Sequence, residues 1–188
     1  RQQGNEKEAT KIYDFKEGEQ PMEMQAFGDD VYYRNVSNQL CRLTADKNYL
    51  LNQVFARPKV LMQTKTRITA MALQPTKRKV LLGVQDYLLA IDMETSKVDT
   101  VKSMNGKYIT SFYQPSSAGD KIYITTLNHG VFVGNGEAFS PIKNTTNKSF
   151  INGIITCSKR PNRITLLTNH QLEILGSDSL QTDGCTRM

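Results

Sequence analysis

Three stretches decide the fold: Lys79-Val-Leu-Leu-Gly83, Lys121-Ile-Tyr-Ile-Thr125 and Arg163-Ile-Thr-Leu-Leu167. Each carries apolar residues at alternating positions, so an extended chain buries one of its faces. Val80 and Ile122 stand 42 residues apart, and Ile122 and Ile164 stand 42 apart again. After a short polar turn each stretch is followed by a second alternating strand, marked by Leu89 and Ile91, by Val131 and Val133, and by Leu172 and Ile174. A third strand precedes each pair and begins at Ile68 (Ile-Thr-Ala-Met), Ile109 (Ile-Thr-Ser-Phe) and Ile151 (Ile-Asn-Gly-Ile), spaced 41 and 42 residues. A weaker copy lies upstream, with Val31 and Tyr33 on one strand and Cys41 and Leu43 on the next. Its connector is longer. Residues 46–61, with Tyr49, Leu50, Leu51, Val54 and Phe55, read as a short helix or as a long outer strand with its loop.

Short strands separated by Gly, Asn, Asp and Pro turns imply antiparallel meanders, and one such sheet cannot bury itself. A period of about 42 residues with three or four strands matches the blades of a β-propeller, whose sheets stack face to face; a β-sandwich is the competing architecture. The expected fold is therefore all-β, one propeller-like domain over residues 1–188 with units at about 17–64, 65–106, 107–148 and 149–188. Four blades are the low end for a closed ring, so the chain either closes at four or forms part of a larger ring. Residues 11–16 contain a good strand, Lys11-Ile-Tyr-Asp-Phe15, expected to complete the last unit and cover its edge.

The composition is that of a globular chain: 188 residues, 38% hydrophobic, 22% charged, mean hydropathy -0.47. No apolar run approaches the roughly 18 residues of a membrane-spanning helix. The chain starts at Arg1 with no signal peptide ahead of it, as a processed protein or trimmed piece would. The net charge of +6 is spread singly, and the densest group, Lys77, Arg78 and Lys79, reads as a solvated turn, so nucleic acid is not an expected partner. Cys41, Cys157 and Cys185 are odd in number and far apart, which suits buried or idle thiols better than a disulfide framework or a zinc site.

The third unit, Asp120-Lys-Ile-Tyr-Ile-Thr-Thr-Leu-Asn-His-Gly-Val-Phe-Val133, resembles the two-component regulator propeller repeat. In that repeat an apolar strand ending in Thr, here Thr126, leads through a polar turn and a Gly, here Gly130, to another strand. Degraded versions stand at Leu82-Gly-Val-Gln-Asp-Tyr-Leu-Leu and Leu166-Leu-Thr-Asn-His-Gln-Leu, so the resemblance covers roughly residues 68–175. The family usually has Trp at the strand start, where this chain has Tyr123, Leu81 and Thr165. The resemblance implies the periplasmic, extracytoplasmic sensor segment of a membrane-anchored histidine kinase or similar regulator, one that detects a carbohydrate or similar nutrient. It implies no catalysis in these residues, a small-molecule or oligosaccharide ligand, flanking signalling domains and a second copy as partners, and no cofactor.

The candidate ligand residues occupy matching turns: Asp86 and Tyr87, Asn128 and His129, Asn169 and His170. His129 and His170 each follow Asn, a pair that also serves as an ordinary hydrogen-bonded turn. No metal site is expected, because the matching positions offer Asp, Asn and Asn, an incomplete ligand set. A metal-dependent propeller hydrolase or lyase is thus the weaker alternative, beside a protein-interaction scaffold. No nucleophile-elbow Ser occurs, and Gly134-Asn-Gly136 joins strands instead of opening a helix. Asn35-Val-Ser37, Asn144-Thr-Thr146 and Asn147-Lys-Ser149 fit the glycosylation pattern and are expected to be chance matches.

Overall fold

The computed structural model describes residues 13–44, 58–115, 120–143, 145, 151–157, 160–168 and 172–176. The chain divides into two compact units, Arg1–Gln63 and Thr64–Met188. Every sheet in them is an antiparallel meander drawn from one continuous stretch, and the only helical pieces among the described residues are two short 3-10 turns.

The first unit holds β1 (Pro21–Phe27), β2 (Asp30–Asn35), β3 (Gln39–Thr44) and β4 (Lys59–Gln63), hydrogen-bonded in that order. Tyr33, Cys41 and Leu43 form a buried cluster on one face, against which Val31, Tyr13 and Phe15 pack. Phe15 stands edge-on to Tyr33 at 5.3 Å, and Tyr13 edge-on to Phe15 at 5.1 Å, within the range favoured by the aromatic quadrupole. Residues 13–16 are assigned no strand among the described residues; Lys11 and Ile12 of the expected closing strand, and the chain after Gly176, lie outside them. Cys41 is a free, buried thiol, and burial raises its pKa above the ordinary thiol value. Most of the 46–61 connector lies outside the described residues, and its last part enters β4.

The second unit holds three sheets. The first comprises β5 (Ile68–Gln74), β6 (Lys79–Val84), β7 (Tyr87–Asp92) and β8 (Val98–Thr100). Next come β9 (Ile109–Tyr113), β10 (Ile122–Thr126), β11 (Val131–Gly134) and β12 (Phe139–Pro141), then β13 (Ile151–Cys157), β14 (Arg160–Thr168) and β15 (Leu172–Gly176). A fourth strand thus follows the three read from the sequence in two of these sheets. It was hidden because β8 and β12 are three residues long, too short to show alternation.

The Ile-Thr, Ile-Thr and Ile-Asn strand starts have one structural cause. In each sheet the register between the first two strands slips by one residue at that point. Ile68 faces Val84 while Ala70 faces Gly83, Ile109 faces Thr126 while Ser111 faces Thr125, and Ile151 faces Thr168 while Gly153 faces Leu167. Thr69, Thr110 and Asn152 are the extra residues of three equivalent β-bulges, which raise the local twist and end regular pairing. The hydroxyls bind locally: Thr69 Oγ1 donates to the Gly83 carbonyl at 3.1 Å, and Thr110 Oγ1 lies 2.7 Å from Thr125 Oγ1. The preceding Ile is buried in all three.

Consecutive sheets of this unit pack face to face. Ala70, Ala72, Leu81, Leu88 and Ala90 meet Ile109, Ile122, Ile124, Phe132 and Phe139, with Val101 and Met104 of the connecting segment sealing the layer. Three alanines among the residues of the first sheet leave room for the large side chains of the second, so that the layers interdigitate. Gly83 belongs to this fit, since a Cβ there would approach Ile109 Cγ2 to 2.9 Å. A smaller cluster joins the next pair, with Val131 and Ile142 against Ile151, Ile164 and Leu166.

Candidate functional site

The turn after β6 is tight. Val84 pairs with Tyr87, leaving Gln85 and Asp86 as its tip, and Gln85 takes a left-handed φ of 48°. Asp86 and Tyr87 are exposed, Tyr87 at 54%. The equivalent turn after β10 is longer and is built by Thr126, the buried last residue of its strand. Thr126 Oγ1 donates to the Gly130 carbonyl at 2.7 Å and accepts from the His129 N–H at 3.1 Å, while the Thr126 N–H donates to the same carbonyl at 3.0 Å. One hydroxyl therefore fixes both sides of the loop that displays Asn128 and His129, which are exposed.

Gly130 is required twice over. Its φ is 74°, and a Cβ would collide with the carbonyl of Thr145. Thr145 is itself buried. Its Oγ1 accepts from the Val131 N–H at 3.0 Å and donates to the Ile142 carbonyl at 2.7 Å, tying the start of β11 to the chain that leaves β12.

The two turns are joined through the 101–109 connection between sheets. The Gly106 N–H donates to the Asp86 carbonyl at 2.9 Å and the Ile109 N–H to the Gln85 carbonyl at 3.2 Å. From the other side, the Leu127 N–H donates to the Tyr108 carbonyl at 2.9 Å. Because these are main-chain bonds, they brace the turns without consuming the side chains of Asp86, Tyr87, Asn128 or His129. Four of the six residues expected at a ligand site thus sit on one braced end of two packed sheets; Asn169 and His170 lie outside the described residues.

The opposite end of these sheets is held by side chains. Gln74 is fully buried at the end of β5, and its amide nitrogen donates to the Asn135 carbonyl in the β11–β12 turn. Lys77 Nζ lies 2.9 Å from Glu137 Oε1, Arg78 pairs with Glu94, and Thr76 bonds Asp120. The Lys77 hydrogen bond, with its charge, holds the Glu137 carboxyl below the usual glutamate range. Hydrogen bonds from Thr95, chiefly its backbone N–H, lower Asp92 in the same way.

Sequence spacing gave no hint of the bracing roles of Ser103, Tyr108 and Thr145, which act through the main chain or across sheets. Ser103 Oγ accepts from the Phe139 N–H at 3.0 Å, a partner 36 residues away. Among the described residues no three His, Cys, Asp or Glu side chains gather as a metal-binding group, and no helix is long and apolar enough to cross a membrane. Asn35 of the first sequon is buried and its Oδ1 accepts from the Ser37 and Gln39 N–H groups, an Asx-turn role; Asn144 and Asn147 lie outside the described residues.

No protein-family model and no curated protein matches the chain. Among solved structures it is similar to the computationally designed protein Ika8, with a TM-score of 0.61 and 12% identity over 86% of this chain and 47% of that one. It is likewise similar to AztD of Citrobacter koseri, with a TM-score of 0.60 and 12% identity over 84% of this chain and 44% of that one. The chain spans less than half the length of either, and at 12% identity the likeness is one of fold alone.

Proposed function

We propose that this chain is a non-catalytic ligand-binding module made of consecutive β-propeller blades, which takes its ligand at the end bearing Asp86, Tyr87, Asn128 and His129. The observation that carries the reading is the main-chain bracing of those turns. A binding surface performs best when its polar groups are held in place before the ligand arrives, since less ordering entropy then opposes association. An exposed Tyr at the same end as a carboxylate, an amide and an imidazole offers one apolar face and several hydrogen-bonding groups, the equipment suited to a sugar ring.

The resemblance of the third unit to two-component regulator propeller repeats favours the sensor segment of a membrane-anchored regulator outside the cytoplasm, with signalling domains elsewhere in the same protein. Binding would then act by population shift, the ligand favouring one arrangement of the attached domains through its differential affinity. The test is calorimetric titration of the full chain with a panel of neutral and charged oligosaccharides, repeated with Tyr87→Ala and with the double variant Asn128→Ala, His129→Ala. Saturable binding weakened at least roughly tenfold by either variant, about 1.4 kcal/mol, supports the reading. Binding that both variants leave unchanged moves the site elsewhere, and no binding by any sugar favours a protein-contact role.

A further inference from the structure

The basic residues of the second unit, scattered singly in sequence, are sorted by the fold. The end that carries the candidate turns is formed by residues 64–67, 85–87, 101–108 and 127–130, with Ile142, Lys143 and Thr145. Strand register puts these together: Ile68 faces Val84, the Val101 N–H donates to the Leu88 carbonyl, and the Ile142 N–H donates to the Val131 carbonyl. In those segments stand Lys65, Arg67, Lys102, Lys107 and Lys143, against a single carboxylate, Asp86. Lys65, Arg67, Lys102 and Lys143 are exposed, and none of them is in an ion pair among the described residues. Lys107 Nζ donates to the Ser103 and Asn105 carbonyls and lies 5.5 Å from the centre of the Phe132 ring, an arrangement that orders its charge without cancelling it.

At the other end cations and anions alternate and pair: Lys77 with Glu137 and Arg78 with Glu94, while Lys97 lies 3.4 Å from Asp99. The two ends of one stack thus differ in field, and the positive one coincides with the braced turns. Net positive potential over a fixed surface raises the local concentration and the association rate of anions.

We infer that the ligand of this end is an anionic oligosaccharide, one bearing carboxylate or sulfate groups, read by Lys65, Arg67, Lys102 and Lys143 at the end that also carries Tyr87. This deepens the binding role proposed above and rests on it. The cations supply affinity for charge, while Tyr87, Asn128 and His129 supply the sugar-facing contacts that a bare polyanion would not need.

The experiment is titration of the full chain with a tetrasaccharide of galacturonate, a neutral tetrasaccharide of galactose and a short polyglutamate, at low and at about 0.5 M salt. The expected result is at least roughly tenfold tighter binding of the uronate than of either other probe, a preference that fades as the Debye length contracts to a few ångströms. Lys65→Gln, Arg67→Gln, Lys102→Gln and Lys143→Gln should each weaken the uronate roughly two- to fivefold, the range of an exposed charge pair. Lys121→Gln, at the opposite end, should leave binding unchanged, and unaltered melting temperatures show that each variant is folded. Equal affinity for the neutral sugar would overturn the anionic specificity while leaving the sugar-binding role standing. Preference for polyglutamate would replace the sugar with an acidic protein surface. Absence of binding by all three would overturn both readings.

Discussion

The two ends of the stacked sheets in the second unit are built by opposite means. At the end of Asp86 and Asn128 the connections are braced by main-chain bonds and by buried hydroxyls, those of Thr126 and Thr145, and the tip side chains stay exposed. At the end of Gln74 and Lys77 the joining is done by the side chains themselves, through Asn135, Glu137, Glu94 and Asp120. A surface whose side chains are consumed in holding the fold has few left to recognise anything. The end braced by backbone is the one whose tip side chains stay exposed.

The difference is open to direct attack, and the largest effect is expected at the glycines. Gly130→Ala forces a methyl into the Thr145 carbonyl at a positive φ, and with backbone as the obstacle it should cost about 3 kcal/mol in denaturant unfolding. Gly136→Ala meets the end of the Gln74 side chain at a φ of 90°, an obstacle that can rotate away, so its cost should be smaller, about 1–2 kcal/mol. Equal losses at the two positions would break the contrast between backbone and side-chain bracing.

Next comes Thr126→Val, which preserves shape but removes the hydroxyl that serves both Gly130 and His129. About 1–2 kcal/mol of stability should be lost, with the chemical shifts of Asn128 and His129 moving more than those of Asp86. A uniform response of both turns would mean that the loop is held by something other than Thr126.

The smallest effect concerns pH. Glu137 has its pKa lowered in the folded chain, so its contribution is present above the unfolded glutamate value of 4.5 and is lost as acidification passes through the lower folded value. Lys77→Gln removes the first cause of that shift, so its small loss of stability should appear at neutral pH and vanish well below pH 4.5, which flattens the acid limb of the profile. The end bearing Asn128 offers no such ion pair among the described residues, and neutralising Lys102 or Lys143 should leave the acid limb unaltered.

Much of the fold was legible in the sequence. The spacing of about 42 residues found Val80, Ile122 and Ile164, each of which lies in the second strand of its sheet and is buried. It also found the Ile-Thr and Ile-Asn strand starts, though not that they are bulges. Alternation reveals which face is buried, whereas a bulge is a register slip between two strands and exists only once they are paired. Tyr13 and Phe15 have the pattern of a strand, and alternation could not show that their rings pack with Tyr33 of the first unit.

The candidate site divides in the same way. Asp86, Tyr87, Asn128 and His129 were found because equivalent turns recur at the repeat interval. The bracing from Gly106, Ile109 and Leu127 could not be found, because main-chain bonds carry no side-chain signature. The cations at 65, 67, 102, 107 and 143 read as scattered solvated charges until strand register brought their segments to one end.

By itself, then, the sequence determined the all-β class, the repeat, the strands and the turns on which the candidate residues stand. These follow from local alternation and turn chemistry, which act over a few residues. Only the tertiary structure decided which turns are braced, where the bulges lie and which charges are paired. Those depend on groups separated by tens of residues in the chain, and their proximity is a property of packing.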